Sequence, residues 1–135
     1  MFFSKPKKKS DFHILIVDDE ADFLSSMEYW FKSQGYAVQT APDGAQAIEL
    51  LKKNVPNIIF LDIKMPVMDG IETLKIIRKM RLKIPVIMLV AHPSEELRVA
   101  AYKYGANAFL EKSLDFYQAE HLINSLVRVT SKQKA

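Results

Sequence analysis

The chain has 135 residues, 49% of them hydrophobic and 26% charged, ordinary values for one soluble globular domain that leave out disordered and fibrous classes. Its longest unbroken apolar run, Ile84 to Ala91, falls far below the roughly 20 residues of a spanning helix, so no membrane insertion is expected. The absence of cysteine excludes thiol chemistry and fits a reducing cytoplasm; the net charge of +3 rests on Lys5, Lys7, Lys8 and Lys9, without which the rest stands at about −1, so no basic face for nucleic acid is expected.

Residues 1–11 read as a flexible basic leader outside the core, since Met1-Phe2-Phe3 is too short for the apolar region of a secretory signal and lysines follow it. A single domain is expected over 12–130, with a short tail over 131–135. Phe12 to Val17 is a near-continuous apolar run that stops at Asp18, as in a strand buried on both faces of a parallel sheet. Asp22 to Gln34 carries Phe23, Met27, Trp30 and Phe31 at helical spacing and closes at Gly35. A short strand, Ala37 to Thr40, leads through Pro42-Asp43-Gly44 into a helix striped by Ala47, Ile48 and Leu51 that ends at Asn54-Val55-Pro56.

Asn57 to Leu61 is a second buried strand, again stopped by an aspartate, Asp62, before the turn-rich Lys64 to Gly70. Ile71, Leu74, Ile77 and Met80 stripe the following helix, and Ile84 to Val90 is the third strongly apolar strand. Ser94 is expected to cap a helix with Glu95 and Glu96 in its first turn and Gly105 beyond its end. Ala108-Phe109-Leu110 makes the last strand, and a helix over about Asp115 to Arg128 is expected to bury Ala119, Leu122, Leu126 and Val129. Strand–helix alternation repeated five times gives the fold class α/β, a doubly wound parallel sheet with helices on both faces.

In such sheets ligands bind beyond the carboxyl ends of the strands. Those ends carry Asp18-Asp19, Asp62, Val90 and Lys112. Carboxylates gathered at one edge repel one another unless a cation neutralises them, and a hard divalent ion such as Mg²⁺, which favours oxygen ligands, answers that need. Lys112 supplies an ammonium able to pair with Asp62. Each residue alone has a plainer reading: Asp18, Asp19 and Glu20 beside a helix N-terminus, Asp62 in a turn, Lys112 in solvent.

Ile14 to Glu20, Ile58 to Gly70, Pro85 to Leu89 and Gly105 to Lys112, in that order, resemble the receiver domain of two-component response regulators over nearly the whole chain. The resemblance implies a flavodoxin-like (βα)5 fold of strand order 2-1-3-4-5. It implies that Asp62 is the phosphoacceptor, that Asp18, Asp19, Asp62 and the backbone carbonyl of Lys64 hold Mg²⁺ (or Mn²⁺), and that Lys112 and the backbone N–H of Ala91 contact the phosphoryl group. A histidine kinase or histidine phosphotransfer protein would be the donor, and the face of the fourth helix, fifth strand and fifth helix would meet an output protein or a second copy. The domain would be no enzyme beyond its own phosphotransfer and dephosphorylation.

The chain departs from the family at three positions. Val90 stands where a threonine or serine is usual, Ser113 where a proline in a cis peptide is usual, and Phe109 at the aromatic switch position. A trans peptide before Ser113 with a reshaped loop, or a strained cis peptide, are both compatible with that change. Lys64 and His92 fall on positions that tune water access, whereas His13 and His121 lack a metal-ligand pattern and read as structural. Two other functions remain: a phosphate-independent interaction module of the same fold, motivated by Val90 and Ser113, and a nucleotide or flavin binder. The latter fits poorly, because its first loop would need glycine and hydroxyl donors where Asp18-Asp19-Glu20 stand.

Overall fold

The computed structural model describes residues 8–134, with side chains as far as residue 126, so expectations on residues 1–7, on the Val129 side chain and on Ala135 lie outside the described residues. Strands β1 (His13–Val17), β2 (Ala37–Ala41), β3 (Ile58–Asp62), β4 (Val86–Val90) and β5 (Ala108–Glu111) alternate with helices α1 (Ala21–Ser33), α2 (Gly44–Lys53), α3 (Gly70–Lys79), α4 (Glu95–Lys103) and α5 (Phe116–Lys134). The strands form one parallel sheet in the order β2-β1-β3-β4-β5. Among the described residues no helix is long and apolar enough to cross a membrane.

Every residue of β3 and β4 is buried, which explains why their sequences are continuous apolar runs rather than alternating ones. Alternate side chains serve the two faces. Leu15, Val17, Ile59, Leu61, Val86 and Met88 pack with Leu51, Leu74 and Ile77, whereas Ile14, Ile16, Ile58, Phe60, Ile87 and Leu89 pack with Met27, Phe31, Ala119 and Ile123. Each fully buried aliphatic or aromatic side chain contributes roughly 1.5–3 kcal/mol.

The last helix differs from its expected form. It extends to Lys134 rather than about Arg128, and its buried stripe is Phe116, Ala119 and Ile123, with Leu122 and Leu126 only half-buried. Phe116 sets this rotation: its ring lies 5.9 Å from those of Phe23 and Trp30 on α1. At the chain start, Lys9–Asp11 form a 3-10 turn, and Lys9 Nζ lies 3.4 Å from Glu120 Oε2.

Three helices begin at the C-terminal edge of the sheet on side-chain caps. Asp43 accepts from the Gln46 N–H at 2.8 Å, Ser94 Oγ from the Leu97 N–H at 3.1 Å, and Asp69 and Glu72 form a reciprocal capping box. At the opposite edge, Gly35 and Gly105 close α1 and α4 with φ near +102° and +103°, a conformation open to glycine. There Arg78 donates to the carbonyls of Leu82 (2.8 Å), Ile84 (2.9 Å) and Gly105 (2.7 Å) and to Asn107 Oδ1 (3.0 Å). Asn107 Oδ1 also accepts from the Val86 N–H at 3.0 Å, so one cluster ties α3, β4 and the turn before β5.

Candidate functional site

Parallel pairing carries the ends of β1, β3, β4 and β5 to one edge. Asp18 is the first residue after β1, with its N–H on Ala41 O (3.1 Å), and Asp62 is the last residue of β3. The Lys112 N–H donates to Val90 O at 2.8 Å, which fixes where the lysine side chain starts. Gly70 closes the loop after β3: its N–H reaches Ile63 O at 2.7 Å, and a Cβ there would meet the Asp62 carbonyl and lie 2.8 Å from Ile63 Cα. The end of β3 therefore has a glycine pressed against it, and the Asp62 backbone has no room to shift that way.

Asp18 and Asp62 are buried and Asp19 is exposed; each offers an oxygen within 4.8 Å of the others. Lys112 Nζ stands 2.8 Å from Asp18 Oδ2, 3.3 Å from Asp62 Oδ2 and 2.6 Å from Glu20 Oε1. One ammonium thus faces three carboxylates. Burial, and then the Asp18 charge, push the Asp62 carboxyl up to about 7 against the opposing pull of Lys112. Burial would lower the Lys112 ammonium, but the attraction of Asp18, Glu20 and Asp62 outweighs it and holds the group above the usual lysine value. Asp18 Oδ1 accepts from the Glu20 N–H at 2.9 Å, and Asp18 Oδ2 is paired with the Lys112 ammonium at 2.8 Å.

This donor set fits a hard divalent cation. It consists of carboxylate oxygens alone, on two buried residues and one exposed one, and its surplus negative charge is what Mg²⁺ or Mn²⁺ would neutralise. An open cleft lined by Lys64, Met65, Pro66, Asp69 and Leu97 leads to Asp19.

The remaining expected positions are placed as follows. Val90 is buried at the end of β4, and its side chain offers no polar atom there. Ala91, His92 and Lys64 are exposed on the loops at the same edge, and Phe109 is half-buried on β5. The Lys112–Ser113 peptide is trans, and Ser113 Oγ accepts from the Asp115 N–H at 3.0 Å in the turn before α5. Neither His13 nor His121 belongs to the carboxylate group. Glu20 is the participant that sequence reasoning missed. Its position at a helix N-terminus gives it a sufficient local explanation, and the one signal in the sequence is its place directly after Asp18-Asp19.

Residues 14–124 match the response regulator receiver domain. The chain belongs to that family. Its receiver is 37% identical over 115 residues to the transcriptional regulatory protein PrrA of Mycobacterium tuberculosis, covering 85% of this chain and 49% of the relative. The chain thus spans about half the length of the curated relatives it matches first. Among solved structures, a CheY-like receiver domain protein from Methanospirillum hungatei superposes with a TM-score of 0.84 at 28% identity, covering 90% of this chain and 98% of that one. The response regulator TrrA of Thermotoga maritima, solved in complex with Mg(2+)-BeF, gives 0.77 at 26% identity, covering 85% and 98%.

Proposed function

We propose that this receiver takes a phosphoryl group from a phosphohistidine of a histidine kinase or phosphotransfer protein onto Asp62. The observation that carries this reading is the convergence of buried Asp18 and Asp62 on a single ammonium, Lys112, at the ligand-binding edge of the sheet. An oxygen of the Asp62 carboxylate forms the new P–O bond as the P–N bond breaks, and the imidazole departs with the electron pair. Water later attacks the acyl phosphate, releasing inorganic phosphate and restoring the carboxylate.

Phosphoryl transfer needs positioning and charge neutralisation rather than covalent help from the protein. Asp18, Asp19, Asp62 and the Lys64 carbonyl are the residues that would hold Mg²⁺, which when bound supplies charge neutralisation at the transferring group. Lys112 contributes a second cationic contact, and the Ala91 N–H a hydrogen bond. Lys64 and His92 flank the approach of water to the acyl phosphate.

The readout is weakened at Val90. Valine is close to threonine in shape but donates nothing, so the phosphoryl group forgoes a charge-assisted hydrogen bond worth about 1.5–3 kcal/mol. A ligand shifts an equilibrium only through differential contacts, so this omission lowers the bias toward the active form by up to about 10–100-fold. Phe109 has no phenol to anchor an inward rotation, and Ser113 in a trans peptide shapes the loop after Lys112. The signal would leave through α4, β5 and α5 to a partner protein, a second copy or an effector domain outside this chain, in the cytoplasm.

The test is intact mass after incubation with acetyl phosphate, with and without Mg²⁺. A Mg²⁺-dependent gain of about 80 Da, one phosphoryl group, that disappears in Asp62→Ala is the expected result. Absence of both an adduct and any binding of a phosphoryl mimic would sink the proposal and favour a phosphate-independent interaction module.

A further inference from the structure

Lys112 is not centred between its carboxylates. Its nearest partner is Glu20, at 2.6 Å, followed by Asp18 at 2.8 Å and Asp62 at 3.3 Å. The ammonium also lies 5.0 Å from the Phe23 ring centroid, one helical turn after Glu20, so both ends of the first turn of α1 attract it. Glu20 is anchored beside the site through its backbone. Its backbone N–H is bonded to Asp18 Oδ1, and its side chain, unlike those of Asp18 and Asp62, stays largely in solvent. Glu20 is not among the three carboxylates grouped closely enough to hold a cation.

We infer that Glu20 is a latch that parks Lys112 on the α1 side in the resting receiver and must release it when Asp62 carries a phosphoryl group. This inference rests on the reading of Asp62 and Lys112 given above and adds a positioning residue to it. Glu20 touches no reacting atom; it acts through the lysine. Its strength sets how readily the site accepts the phosphoryl anion, so the residue following the Asp18-Asp19 pair tunes receptivity without touching the acceptor. An ion pair with one solvent-exposed partner is weak, so its release corresponds to a change of up to about 5-fold in anion affinity.

The test is calorimetric titration of beryllofluoride, at saturating Mg²⁺, into the wild type, Glu20→Gln, Lys112→Gln and the double variant. The latch predicts that Glu20→Gln tightens binding about 3- to 5-fold and that the same change on the Lys112→Gln background gains less than about 2-fold, the residue of general charge repulsion. An equal gain on both backgrounds, no gain, or weaker binding by Glu20→Gln overturns it. Failure of the wild type to bind the anion at all would instead overturn the phosphoacceptor reading. Where Lys112→Gln binds too weakly to titrate, urea unfolding of the four ligand-free proteins supplies the same cycle. Non-additive effects at 20 and 112 are then expected, and additive ones overturn the latch.

Discussion

At the N-terminal edge of the sheet, Arg78 sends its guanidinium N–H groups to three carbonyls and an asparagine oxygen, whereas at the C-terminal edge the carboxylates of Asp18, Asp62 and Glu20 share one lysine. Both edges enclose charge. One surrounds it with complementary partners and gains rigidity; the other crowds like charges and raises the Asp62 carboxyl to about 7. Chemistry can be sited at the second edge because it is the end whose electrostatics a cation and an anion would complete. Stability must then come from elsewhere, and the Arg78 cluster is one source.

The comparison is broken most severely by Arg78→Ala. Truncation strips donors from the Leu82, Ile84 and Gly105 carbonyls, and a loss of about 2–4 kcal/mol in urea unfolding is expected. A loss below about 1 kcal/mol would mean that water replaces the guanidinium freely.

Asp62→Asn acts in the opposite direction. A carboxyl whose folded-state pKa is raised binds more protons in the native state than in the unfolded one, so the ligand-free protein loses stability as pH rises from about 4 through about 7. Removing that carboxylate is expected to stabilise the protein by roughly 1–3 kcal/mol at pH 8, with no gain at pH 3.5 and a flatter stability profile between. Thermal unfolding of both proteins across this range checks the sign; a variant less stable at pH 8 would show that the pairing with Lys112 outweighs burial and repulsion.

The smallest change sharpens the contrast within the acidic edge. Val67, in the loop between β3 and α3, has φ near +69° and a fully exposed side chain, an uncommon conformation for a β-branched residue with no packing to compensate it. Val67→Gly is expected to stabilise the protein by about 0.5–1 kcal/mol, read as a rise in the unfolding midpoint.

Much of this architecture was legible in the sequence. Strands buried on both faces must be written as uninterrupted apolar runs, and β1 and β3 end at aspartates, so the runs located the sheet and its edge together. The helix register of α5 was less legible because two apolar stripes overlap there, and the choice between them depends on Phe116 meeting Phe23 and Trp30. Glu20 was hidden for a related reason: its partner is 92 residues away, and an acid at a helix start has a sufficient local explanation. Arg78 gave no signal, since its principal acceptors are backbone carbonyls, which every sequence possesses.

Val90 has one more consequence, which concerns the chain before it folds. Apolar β-prone segments are hazardous while exposed, and flanking charges or prolines restrain their association with other chains. The β1 segment is stopped by Asp18-Asp19, and the β3 segment lies between Pro56 and Asp62. The β4 segment has Lys83 and Pro85 at its entrance but leaves through Val90 and Ala91, with neither a charge nor a proline until Pro93. Among the five strands β4 is the one whose exit lacks an adjacent charge or proline, which makes it the least guarded apolar segment of the nascent chain.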